Sequence, residues 1–127
     1  MLHPRLTAAV ICVAALASTP AVAHPRLLKS MPAADAVVTA PTRVELRFSE
    51  RLLPQLSGAA IVMVGMPGMA DHAPMPVAGT ASAVGPGGEA LIVTSRKPLP
   101  AGTYRIDWHV VSADTHRVTG SYVFSVR

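Results

Sequence analysis

The sequence predicts an all-β domain: a small Greek-key β-barrel or antiparallel sandwich, Ig-like in its strand spacing, with about seven strands. Three observations predict it. Twelve prolines and nine glycines punctuate the 127-residue chain. The runs between them either alternate apolar with polar residues or are short and continuously apolar, as strands are. No stretch free of breakers carries helical periodicity for long enough to build a helix.

Taken in order, residues 1–23 read as a secretory signal. His3 and Arg5 make a modestly basic start, residues 6–17 are apolar, and the small triplet Ala21-Val22-Ala23 suits signal peptidase. The apolar run falls short of the about 20 residues that span a bilayer, so no stable membrane insertion is expected. The single cysteine, Cys12, lies inside this run. The processed chain, 24–127, would therefore carry no thiol into an oxidising compartment, which excludes thiolate metal chemistry. A short strand is expected at 26–30. At 43–49, Val44, Leu46 and Phe48 face one way while Arg43, Glu45 and Arg47 face the other. Residues 58–64 and 90–95 are nearly continuous apolar runs, as more fully buried strands require. A long strand is expected at 104–112 with Tyr104, Ile106, Trp108 and Val110 in phase, and a last one at 121–127 with Tyr122, Phe124 and Val126. Turns are expected at Leu52-Leu53-Pro54, at 96–100 and at Thr119-Gly120.

Eleven Lys/Arg oppose seven Asp/Glu, a net charge of +4. The basic residues are scattered and are not interleaved with stacking aromatics, so no nucleic-acid surface is expected.

Two constellations carry ligand chemistry. Cleavage after Ala23 would make His24 the first residue, presenting a free amine and an imidazole on one short chelate. Pro25 has no amide N–H, so a metal there must complete its shell with side chains from farther along the chain. Asp114-Thr115-His116 offers them. Residues two apart on extended chain point the same way, and one carboxylate with two imidazoles and an amine is a set that Cu(II) accepts. The second constellation is Met63, Met66, Met69, His72 and Met75, a strict spacing of three within a Gly/Pro-rich segment. A polyproline-like loop has about three residues per turn, so all five side chains could share one edge. Thioethers are soft donors suited to Cu(I). Loop methionines beside a histidine are also unlike core filler. His109 alternates with Arg105 and Asp107 opposite Trp108; it is expected to be exposed or paired with Asp107, and is not taken as a ligand.

With HPRLLKSMPA after the signal, ELRFSE at 45–50, the MPGM-containing loop and LPAGTYRIDWHVVSADTHRVTGSYVFSV in view, the chain resembles the CopC family of periplasmic copper-resistance proteins. The resemblance implies a cupredoxin-like Greek-key fold without a blue-copper centre. It implies a Cu(II) site at His24, Asp114 and His116, and a separate Cu(I) site at the opposite end made by the methionines with His72. The Met69–His72 spacing is one residue longer than in the two-site relatives. It implies a periplasmic copper carrier or buffer whose partners are an inner-membrane copper transporter of the CopD type and a multicopper oxidase. A different class of function, a copper-dependent oxidative enzyme of the lytic polysaccharide monooxygenase type, also uses an N-terminal histidine. One tryptophan, two tyrosines and two phenylalanines, all of them core-phased, leave no aromatic platform for a polysaccharide. Asp114 would also take a position such enzymes leave for oxygen. A third reading, a cell-surface sandwich with incidental histidines, predicts no tight copper binding.

Overall fold

The computed structural model describes residues 24–127; the expected signal segment, 1–23, lies outside them. Nine strands form: β1 Leu27–Met31, β2 Val37–Val38, β3 Arg43–Phe48, β4 Gly58–Gly65, β5 Met75–Pro76, β6 Thr80–Val84, β7 Ala90–Ser95, β8 Gly102–Val111 and β9 Arg117–Val126. A single 3-10 turn at Pro54–Leu56 is the one helical element among the described residues. No helix there is long and apolar enough to cross a membrane.

A four-stranded sheet, β1-β3-β7-β6, faces a five-stranded one, β2-β9-β8-β4-β5. All pairings are antiparallel except the short parallel contact of β2 with β9. The result is a Greek-key-like sandwich that stays open and does not close into a barrel. The chain crosses between sheets through 49–57 and 96–101, where Leu52-Leu53-Pro54 and the Pro98/Pro100 segment were expected to turn.

Strand phase builds the core. Val44, Leu46 and Phe48 of β3 meet Ile61, Tyr104, Ile106, Val110 and Phe124 across the gap, all essentially removed from solvent. On the other side of β3, Glu45 holds Arg43 at 3.2 Å and Arg47 at 3.0 Å. Burial raises the Glu45 carboxyl, but the bond from Arg43 exceeds that effect, and with Arg47 it leaves the group lowered.

Beyond the seven longer strands, β2 and β5 are two-residue edges, and β6, Thr80-Ala-Ser-Ala-Val84, has almost no hydrophobic contrast to read. One expectation is corrected: Thr119-Gly120 is not a turn. β9 already starts at Arg117, and Gly120 sits mid-strand opposite Trp108. A Cβ at Gly120 would lie 2.2 Å from Trp108 Cζ2, so the glycine makes room for the indole. Trp108 in turn packs edge-on against Phe48 with ring centres 5.1 Å apart.

Candidate metal centre

β8 and β9 form one continuous hairpin from Gly102–Val126 to Val111–Arg117. The five residues at its tip hold two members of the first constellation, Asp114 and His116. Ser112 is 3% exposed and bridges to Leu52. Thr115 donates its N–H to Ser112 O at 2.9 Å and adopts φ 65°. Asp114 and His116 therefore converge through a left-handed turn, not through the strand alternation expected from their spacing. His24 approaches from the other sheet. It precedes β1, and its segment is anchored by buried Pro25 and by two bonds between Arg26 and Ser49, both 2.9 Å.

Asp114 is the hinge of the cluster. Its Oδ1 accepts from Ser112 Oγ at 3.0 Å and from the His116 N–H at 3.1 Å. Its Oδ2 faces His24 Nδ1 at 2.7 Å and His116 Nδ1 at 3.5 Å. The two imidazoles meet edge to face, 5.1 Å between centres. One donor atom from each of the three residues fits within 4.8 Å of the others. The carboxylate side chain is 6% exposed, whereas the imidazoles of His24 and His116 are 58% and 70% exposed. A cation would thus enter from solvent onto an oxygen already held in place. Burial pushes the Asp114 carboxyl up, but the bonds from Ser112, the His116 N–H, His24 and His116 together outweigh it and hold the group below its ordinary value.

The second constellation lies beyond the other end of β8, which at about 3.3 Å per residue is roughly 30 Å long. The segment is not the extended edge that its spacing of three suggested. Met66 and Met69 close a tight turn with reciprocal 2.9 Å backbone bonds, Pro67 leading and Gly68 at φ 82°. The chain then folds back on β4, with His72 N–H on Val64 O at 3.0 Å and Met75 paired with Met63. The hairpin gathers all five residues at one end of the molecule. Met66, Met69 and Met75 are exposed, while Met63 is half-buried against the core. His72 is half-buried as well; its Nδ1 donates to Ala73 O at 2.7 Å, and its Nε2 is buried without a partner. An imidazole fixed by a carbonyl at one nitrogen presents the lone pair of the other, as metal-bound histidines do.

His109 is neither freely exposed nor paired with Asp107. Arg105 takes both Asp107 oxygens, at 2.7 and 2.9 Å. His109 is half-buried; burial, and then the charge of Arg117, lower its pKa. Ser112 went unread in the sequence because it passes for the last residue of the long strand expected at 104–112. The signal was its place two residues ahead of Asp114, where a hydroxyl can bond the carboxylate.

Residues 27–127 match the CopC domain family. The chain is 52% identical over 121 residues to copper resistance protein C of Xanthomonas campestris pv. juglandis, covering 95% of this chain and 94% of that one. It is 50% identical over 109 residues to copper resistance protein C of Escherichia coli, 84% of each chain. Among solved structures, PcoC, a methionine-rich copper resistance protein from Escherichia coli, superposes with a TM-score of 0.75 at 48% identity. That match covers 83% of this chain and all (100%) of PcoC. CopC from Methylosinus trichosporium OB3b superposes with a TM-score of 0.61 at 27% identity, covering 81% and 93%.

Proposed function

The chain belongs to the CopC domain family, and from that premise we propose that it is a two-site periplasmic copper carrier. Membership of the family by itself makes it a copper-binding resistance protein and not an enzyme. The carrier reading assigns Cu(II) to His24, Asp114 and His116, and Cu(I) to Met63, Met66, Met69, His72 and Met75. The observation that carries it is the Oδ2 of Asp114, the oxygen that meets only the two solvent-facing imidazoles.

Neutral imidazole and carboxylate oxygen suit Cu(II) in a tetragonal arrangement. Removal of residues 1–23 supplies the fourth donor, the His24 amine. The thioether cluster takes the softer ion, and His72 Nε2 joins it as a fixed nitrogen. Separation along β8 keeps the two centres independent. The same processing delivers the protein to the periplasm, where it exchanges copper with an inner-membrane transporter of the CopD type and a multicopper oxidase, the partners the family resemblance implies. Oxidation of thioether-bound copper favours nitrogen and oxygen donors, so redox state moves the metal from one kind of site to the other.

Titration of the processed protein with Cu(II), followed by Trp108 emission and electron paramagnetic resonance, tests the assignment. One equivalent should bind with nitrogen hyperfine structure that His116→Ala diminishes. Cupric ion that binds equally well without His116 would defeat it.

A further inference from the structure

Using no residue of either metal constellation, the outer face of the five-stranded sheet carries a groove of about 600 Å³. Its floor is the small residues Gly58 and Ala60 of β4. The register runs Gly58, His109 and Thr119 in one row across β4, β8 and β9, and Ala60, Asp107 and Ser121 in another, so these residues share one face. Ser82 of β6 closes one side; a Cβ at Gly58 would lie 3.2 Å from both Ser82 Oγ and His109 Cε1. The missing side chain at position 58 lets Ser82 and His109 close over β4, so their polar atoms border the groove.

The groove's charge is unbalanced. Both oxygens of its one acid, Asp107, are taken by Arg105. Arg117 lines the groove and has no carboxylate partner among the described residues. Its field reaches His109. An unpaired guanidinium, an imidazole and the hydroxyls of Ser82, Thr119 and Ser121 make a setting for a carboxylate, which a guanidinium grips with two parallel bonds. Arg117 directly follows His116 and stands opposite Val111 at the hairpin tip, so the groove opens beside the first metal constellation.

We propose that this groove docks a small carboxylate-bearing copper chelate, holding the donor's carboxylate on Arg117 while its cupric ion passes to His24, Asp114 and His116. The proposal rests on the copper-binding reading of that centre. The transfer is ligand exchange without redox change: oxygen donors of the chelate leave as imidazole nitrogens and the Asp114 oxygen arrive. Nitrogen is the better donor for cupric ion, which sets the direction.

Two measurements test it. Metal-free citrate titrated into the isotope-labelled processed protein should shift the amides of His109, Thr119 and Ser121 saturably. Arg117→Ala should weaken that binding about tenfold, the scale of one lost charge-assisted bond, and Arg117→Lys by less, whereas Arg96→Ala should not alter it. In rapid mixing, Arg117→Ala should slow uptake from Cu(II)–citrate but not from a carboxylate-free Cu(II)–bipyridine chelate. Shifts elsewhere on the surface, shifts that survive Arg117→Ala, or equal slowing with both chelates would overturn the proposal. Saturable citrate binding by a protein that takes up no cupric ion would instead overturn the metal centre and leave a carboxylate groove.

Discussion

Ser112→Ala probes the proposed Cu(II) centre without touching any of its proposed donors. Asp114 has two oxygens, and the fold divides them. Oδ1 is occupied by Ser112 Oγ and the His116 N–H, at 3.0 and 3.1 Å, and Oδ2 alone faces the imidazoles. The hydroxyl therefore leaves the carboxylate one oxygen to offer a metal, in a fixed orientation. Alanine keeps the Cβ and removes only the oxygen, so packing at this 3% exposed position changes little. One of two bonds on Oδ1 is lost, and water cannot easily replace it there. Losing an outer partner of a metal ligand costs about 10- to 100-fold in affinity. Because the His116 N–H remains, about tenfold is expected for Cu(II). Competition against a chelator of known affinity measures it, with paramagnetic resonance reporting whether the carboxylate rotates to offer both oxygens. Ser112→Thr should restore affinity, and Cu(I) binding should not move. Unchanged cupric affinity and spectrum in Ser112→Ala would refute the idea that this bond orients the ligand.

Further predictions follow from the same geometry. One residue added ahead of His24 in the processed protein should abolish tight Cu(II) binding and spare Cu(I), whereas replacing Met66 and Met69 by leucine should do the reverse; paired chelator competitions for each ion decide it. Gly120→Ala forces a Cβ against the Trp108 indole and should destabilise the fold by about 1 to 3 kcal/mol, read from denaturant unfolding and a shifted tryptophan emission. The lowered Asp114 pKa means the folded state gains most above the ordinary carboxylate value of 3.8 and loses that gain as pH falls through the lowered one. Asp114→Asn should accordingly flatten the acid limb of the stability curve while leaving its alkaline limb in place, as urea unfolding at stepped pH would show.

Much of the fold was legible because strand phase is a local property. Val44, Leu46 and Phe48 are buried as their alternation required, and Tyr104, Ile106 and Val110 likewise. β6 was not legible, since alanine and serine alternate without contrast. Gly120 misled because a glycine after a threonine is a turn signal, and only the partner strand shows an indole lying over it. The donor residues of the candidate centres could be named from chemistry, but Ser112 and the neutralisation of Asp107 by Arg105 depended on who stands beside whom.

Composition and periodicity by themselves determined an all-β chain, its core residues and the nitrogen, oxygen and sulfur donors it can offer, because each of these is set within a few neighbouring residues. Tertiary structure decided that His24 meets Asp114 across 90 intervening steps of chain, and that the five Met-loop residues gather by a backward hairpin. It also decided that His109 lines a groove instead of pairing with Asp107. Such meetings depend on the register between strands distant in sequence, and register is settled only when two sheets pack face to face.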